Sequence, residues 1–572
     1  MEKEQGSSAS IDQLETEEVP ADVILKKNWK MGGRLISWLV GSNVLLFSCT
    51  LVTCVFSQDV DMWETDLLIF MSVMLVLCIL WMFFQLYFSW KHKCAVLYKD
   101  CEAGPIWMRG GILLFGIGTL VMDCFKVIHA VGYLGCESPV KIIQPVLQAI
   151  FVIVQTYFLW ISCKHCVQIH MNATRCGLML MIIINLIIWV IAVTEESRHH
   201  TFELEKNLLD NLTENATTHS QDRMEDVHKC DCTFMCTFTP NEYYYLYPFN
   251  IEYNLFAAAM IYIMWKNVGR QTDENASKYH GIGLSVHRHI PLLGLISGLS
   301  VLIIGLVLFV LYEIRIEHTN KSLLSLTSFY LFHVISLVLM CLANLAGIII
   351  FQLDERSMDN EKNPSRTLDK ALLLGTTLGQ YAISYYSIVA MVATKPPSIL
   401  SCLTLTYSLL MIVQHSLQNV FIIEGLHRLP PNPITNSSVV LDTTKSEFQR
   451  EVSEEASESA ITQYVDSINS ASRDHHQTSD LANLRRPTIT EQLKLHLKKR
   501  KTMKDIYLFL FLSNIIFWIM PAFGARIRFD NDLEVKFYGF TIWAIITNIC
   551  LPFGIFYRMH AAASLLELYN KY

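Results

Sequence analysis

The feature that most constrains this chain is a recurring apolar block about 20 residues long. A helix needs about that length to cross the hydrocarbon core of a bilayer. Twelve such blocks can be read. Six lie near 33–56, 67–90, 110–133, 142–163, 176–195 and 248–267, and six near 291–313, 326–352, 370–393, 398–426, 505–525 and 538–562. They are too long for strands and lack period-two alternation, so each reads as a helix. Across 572 residues, hydrophobic types reach 52% and charged types only 17%. Soluble chains carry about 25% charge. The expected fold is an all-α polytopic membrane protein with twelve transmembrane helices in two six-helix halves. Basic residues sit in the short segments between blocks rather than on one face, so no nucleic-acid partner is expected.

Lysine and arginine orient the chain, because cytoplasmic segments collect them. Most of the 45 fall on one side if the N-terminus is cytoplasmic, and an even span count then places both termini inside. Residues 1–32 read as an acidic cytoplasmic tail, with no signal-peptide core. The N half covers 33–267, with an extracellular loop at 197–247. A cytoplasmic connector, 268–290, leads to the C half, 291–572. Residues 429–503 form a long cytoplasmic loop that opens on Pro430, Pro431 and Pro433 and then turns to Ser, Thr, Glu and Asp. That composition reads as disordered. Near its end Thr488 and Glu491 are spaced as a capping box, and the basic run LKLHLKKRKTMK after them suits the inner headgroup layer.

The outer loop carries two glycosylation sequons, at Asn211 and Asn215. Asn320 also lies outside but close to the membrane. Asn172, Asn275 and Asn436 match the pattern on the inner side and are expected to stay bare. Of 16 cysteines, Cys136, Cys230, Cys232 and Cys236 face the outside, where disulfides can form. Cys136 can pair with one of the other three. His228 beside those three matches no standard zinc spacing, so no metal site is expected.

Polar side chains within spans are costly and mark candidate function. Asp123, Lys126 and His129 share one helical stripe, and a neutralising Asp123–Lys126 pair is the structural expectation. Gln144, Gln148 and Gln155 share a face of span 4. Span 5 ends in Glu195 and Glu196, where the helix dipole opposes a negative charge. Span 6 holds Glu252 and Tyr253, span 8 His333 and Asn344, and span 9 Gln380, Tyr381, Tyr385 and Tyr386. Span 10 holds Gln414, His415, Gln418, Asn419 and Glu424. Span 12 holds Asn548, Arg558 and His560. This inventory suits hydrated polar chains better than a ring of charges selecting a metal ion. Nucleotide-binding, zinc-protease and serine-hydrolase motifs are absent, so no enzyme is expected.

Several stretches carry a family resemblance. They are RCGLMLMIIINLIIWVIAVTEES (175–197), YPFNIEYNLFAAAMIYIMWKNVGR (247–270), KNPSRTLDKALLLGTTLGQ (362–380), QHSLQNVFIIEGLHR (414–428), WIMPAFG (518–524) and YGFTIWAIITNICLPFGIFYRMHAAASLLELY (538–569). The chain from about 33 to 572 resembles the otopetrin family of proton channels, with WKNVGR, KNPSRTLD and WIMPAFG pointing to its third vertebrate paralogue. The resemblance implies a homodimer of twelve-span subunits in the plasma membrane. It also implies proton selectivity, activation by extracellular acid, and sterol (cholesterol) or other lipid at a central interface. It places functional weight on an acidic residue at the outer end of span 5, here Glu195 or Glu196, and on a histidine of the last span, here His560.

The residues themselves lead to the same class. Proton conduction needs only water threads and side chains that accept and donate, and histidine titrates near neutrality. The competing reading is a proton-coupled secondary transporter, which also has two six-span halves. It lacks a concentrated polar substrate site at the midplane. A receptor built on the outer loop does not need twelve spans.

Overall fold

Where the sequence is apolar for about 20 residues, the backbone satisfies its own N–H and C=O groups by coiling into helix. The computed structural model describes residues 21–56, 64–92, 96–100, 104, 106–133, 138–168, 170–214, 245–270, 291–318, 323–353, 364–394, 398–428, 489–524 and 533–571. These residues form two compact units, Met1–His280 and Gly281–Tyr572.

The first unit holds α1 (Ala21–Phe56), α2 (Glu64–Lys91), α3 (Ile106–Gly132), α4 (Val140–Ser162), α5 (Met171–Glu214) and α6 (Tyr247–Asn267). They close a ring. α1 packs on α5, α5 on α6, α6 on α3, α3 on α4, α4 on α2, and α2 returns to α1. The second unit holds α7 (Leu292–His318), α8 (Leu323–Gln352), α9 (Pro364–Thr394), α10 (Ile399–His427), α11 (Ile489–Ala522), the short α12 (Leu533–Tyr538) and α13 (Phe540–Lys571). Its ring runs α7, α11, α13, α9, α10, α8 and back to α7. With α7 to α11 matched to α1 to α5, and α13 to α6, the two circuits are identical.

Outward faces of both rings are apolar, for example Leu46, Phe84 and Ile153 in the first and Leu293, Ile303 and Leu342 in the second. Aromatic residues fill the second interior, including Tyr330, Phe421, Tyr507 and Tyr557. Pro145 and Pro552 stand inside α4 and α13. Gly539, at φ 81°, breaks the chain between α12 and α13.

Ten helices among the described residues are long and apolar enough to cross a membrane. α6 and α9 are not among the ten. α6 carries Asn250, Glu252 and Asn254, all buried, and α9 carries Arg366, Asp369 and Lys370.

Several helices run past the expected span boundaries. Residues 21–32, expected in the tail, begin α1, and residues 197–214, expected in the outer loop, continue α5. Within the expected loop 429–503 the helix begins at Ile489, where the Thr488–Glu491 capping-box spacing reads as a helix start, and the basic run belongs to α11. The all-α expectation misses a small antiparallel sheet, β1 (Val96–Lys99) with β2 (His165–Val167). Asn215, Asn275, Asn320, Asn436, Thr488, His228 and the four outer-loop cysteines lie outside the described residues, as does the side chain of Asn211.

Helices α7 and α11 touch at Gly294. A Cβ there would lie 2.2 Å from the backbone oxygen of Asp505, whose Oδ1 accepts from Gly294 N at 2.7 Å. Backbone cannot swing aside as a side chain can. Gly294→Ala is therefore expected to destabilise the fold by about 1–3 kcal/mol, seen as a lower melting midpoint in detergent. Gly375→Ala, where nothing lies within 4 Å, should not. Equal midpoints for the two variants would disprove the close α7–α11 crossing.

Candidate functional site

A side-chain amide inside a helix ring has four hydrogen-bonding positions and no water shell to fill them, so amides seek each other. In the first ring Gln155 of α4 and Asn185 of α5 are fully buried and exchange two hydrogen bonds, each 2.9 Å. Gln155 Nε2 also donates to the hydroxyl of Tyr253 on α6 at 3.4 Å. That hydroxyl lies 3.0 Å from Thr156 Oγ1 and 3.1 Å from the carbonyl of Val152.

The second ring repeats the cluster on the matching helices. Gln418 of α10 and Asn514 of α11 exchange hydrogen bonds of 3.2 and 3.1 Å. Gln418 Nε2 also donates to the Tyr557 hydroxyl of α13 at 3.3 Å. Gln, Asn and Tyr thus stand on the fourth, fifth and sixth ring positions of both units. The second cluster is larger. Gln414 donates to Gln418 at 2.7 Å, and His415 stacks on Tyr557 with centroids 4.4 Å apart. His415 Nδ1 bonds the Met411 carbonyl at 2.8 Å, which leaves Nε2 as an enclosed acceptor. Arg558 donates to Asn514 Oδ1 at 3.1 Å, and its guanidinium lies 4.8 Å from the Phe517 ring centre. Among the described residues Arg558 has no carboxylate partner, so π faces and amide oxygens carry its charge.

A third group lies at the far end of α3 and α5 from the small sheet. Lys126 Nζ reaches Glu195 Oε2 at 3.3 Å, the same oxygen that accepts from Tyr247 at 2.5 Å. The ammonium also sits 4.7 Å from the Tyr247 ring centre. This corrects the expected Asp123–Lys126 pair. The three-residue spacing puts both on one stripe, but the carboxylate of α5 reaches the lysine and Asp123 does not. Asp123 is 1% exposed, and neither of its oxygens makes a hydrogen bond. Glu196 is buried beside Glu195 rather than solvated.

The other expected residues are scattered. Glu252 is buried on α6. Gln380 reaches Ser384 at 3.4 Å, and Tyr381 meets Ser416 at 2.6 Å. Asn419 donates to Thr377 at 2.9 Å, and Glu424 holds Arg428 at 2.8 Å. Asn548 is half-buried. His560 is buried, with Nε2 3.4 Å from the Asp369 carbonyl and its ring stacked on Phe556. α13 continues past His560 to Lys571, and Arg558 points to Asn514 instead of to His560.

Asn185 and Asn514, with Tyr557, were not singled out from the sequence. The signal was present: a lone Asn in IIINLIIWV and another in FLSNIIFW are costly in a span and mark candidate function.

The otopetrin family model matches residues 107–231, 205–437 and 452–559. The chain belongs to the otopetrin family. It is 43% identical over 546 residues to human "Proton channel OTOP2", with 95% of each chain covered. It is 37% identical to human "Proton channel OTOP3", covering 94% of this chain and 85% of that one. To zebrafish (Danio rerio) "Proton channel OTOP1" it is 31% identical, covering 96% and 93%. The expectation that the third paralogue is the nearest is not borne out, because the second is more similar, at 43% against 37%. In this otopetrin the duplicated Gln–Asn–Tyr cluster spans regions that the family model covers.

Removing one amide of a reciprocal pair leaves the other buried and unpaired, at a cost of about 1–3 kcal/mol. Asn185→Ala should cost that much. Asn514→Ala should cost more, because Arg558 loses an acceptor as well. Detergent melting curves give the order, and a smaller loss for Asn514→Ala would contradict the Arg558 contact.

Proposed function

We propose that this chain is a proton-selective channel of the plasma membrane, carrying protons inward down their gradient and opening on extracellular acid. The observation that carries the reading is 43% identity to a protein named a proton channel, across 95% of both chains. The two buried amide–tyrosine clusters support it. Each offers donors and acceptors across the interior of a helix ring without a ring of carboxylates that would bind a metal cation. In this reading all twelve long helices span the membrane, with both termini cytoplasmic, α6 buried among its neighbours, and α9 turning Thr377, Gln380 and Ser384 inward. A homodimer and associated sterol belong to the same reading. No catalytic chemistry is assigned.

With the N-terminus inside, Lys126, Glu195 and Tyr247 lie at the outer end of the first ring, where external protons arrive. Protonating Glu195 removes the charge that holds Lys126 and the acceptor that holds Tyr247, which couples outside acidity to packing between α3, α5 and α6. The 268–290 connector and the small sheet then lie on the cytoplasmic side.

The direct test is whole-cell recording under acid steps. The reversal potential should follow the proton gradient by about 59 mV per pH unit and ignore sodium and potassium replacement. A reversal potential that tracked either metal ion would overturn the reading.

Glu195→Gln should shift the pH for half-activation while keeping surface expression, because the amide cannot titrate and cannot hold Lys126 as an ion pair. An unchanged pH–current curve in a normally trafficked variant would remove this cluster from gating.

A further inference from the structure

One end of the first ring carries a device with no counterpart among the described residues of the second. β1 and β2 pair antiparallel, with Lys99 opposite His165. The pair is fixed to the end of α6. Asn267 donates to Asp100 Oδ2 at 2.8 Å, Arg270 reaches the same oxygen at 3.3 Å, and Gly269 N donates to the Val167 carbonyl at 2.9 Å. Between this sheet and the helices lies a narrow cavity of about 10 Å³. Its polar lining is Gln85, Ser89, Ser162, His165 and Thr174, drawn from α2, α4, β2 and α5. That is enough polar surface for about one water molecule with its two to four partners. His165 is the one titratable side chain in the lining, and its Nδ1 is enclosed with no hydrogen-bond partner.

We propose that His165 takes protons out of the first ring at its cytoplasmic end, receiving each from water in this pocket and releasing it to cytoplasmic water. The proposal rests on the proton-channel reading and names the exit of one route within it. The proton adds to a neutral imidazole nitrogen to give the imidazolium. A ring N–H then yields a proton to the solvent, and the ring returns to neutral. Net charge and atoms are conserved, and no co-reactant is needed.

The surroundings favour release. Burial, then the charge of Lys99, holds the imidazole below its usual range, so it is neutral at cytoplasmic pH. The neighbouring groups have been placed. Asp100 is turned toward Asn267 and Arg270, and Arg175 of α5 toward the Val268 carbonyl. Lys164 adjoins His165 in sequence, and α2, α4, α5 and α6 contribute no charge to the lining. Among the described residues a held proton therefore faces lysine rather than a carboxylate that would trap it. The sheet fixes this geometry on a strand braced by α6, where a loop would leave the ring mobile.

The test is acid-evoked current per surface channel for wild type, His165→Gln and His165→Ala, with and without imidazole in the cytoplasmic solution. Both variants should lose about half or more of the inward current. Free imidazole should restore it in His165→Ala, because a mobile base can enter the vacated space. Wild-type current in both variants would overturn the proposal, and so would a reduced current that imidazole leaves unchanged. Failure of the wild-type channel to pass protons would instead sink the proton-channel reading.

Discussion

Both halves of this protein are organised by the reciprocal hydrogen-bonded amide pair. Hydrocarbon offers no partner to a polar group, so a glutamine or asparagine within a span is tolerated only if the fold supplies one. Gln155 and Asn185 do this for α4 and α5, and Gln418 and Asn514 for α10 and α11. Pairing in both directions fixes rotation as well as distance, because sliding either helix breaks two bonds together. The tyrosine of the sixth ring position then has a fixed acceptor and donor to meet. Helix packing in lipid gains little from apolar burial alone, which makes such pairs the register marks of each ring.

The two circuits share one packing order and one cluster although their sequences show little identity. The shared parts are the ones that geometry ties together, and the rest differs. The differences are informative. At the position after the cluster tyrosine, the first ring has Asn254, bonded to Asn250, and the second has Arg558, bonded to Asn514. The first ring alone, among the described residues, carries the β pair.

Much of the fold was legible because hydrocarbon imposes length and apolarity on each block, and these are one-dimensional properties. The shared face of Gln144, Gln148 and Gln155 was also legible, since offsets of four and eleven follow helical period. What failed was anything decided by a partner on another helix. Spacing alone placed Asp123 with Lys126, while the actual partner, Glu195, lies 69 residues away. Boundaries failed for a related reason. Residues 197–214 are polar enough to read as loop, yet they continue a helix already nucleated in the apolar block, where each added residue costs little, whereas the Thr488–Glu491 capping-box spacing did mark the start of α11 at Ile489. The sheet was invisible because four and three residues carry too short a pattern to stand against the helices around them.

Arg558 makes the two clusters electrostatically unequal. A guanidinium stays charged in proteins, and here it bonds the same Asn514 oxygen that closes the amide pair. At an effective dielectric of about 20, two unit charges about 4 Å apart repel by about 4 kcal/mol. An excess proton beside Asn514 meets that repulsion, and one beside Asn185 does not, because α6 carries neutral Asn254 at the matching place. In the first ring the opposing charges sit at its ends instead, with Lys126 held by Glu195 at one and Lys99 facing His165 at the other. Fixed charge at the ends governs entry and release without a cation beside the amide pair, whereas a fixed cation at the centre raises the middle of any path. The same amide–tyrosine frame therefore supports two different electrostatic profiles, set by one residue next to each tyrosine.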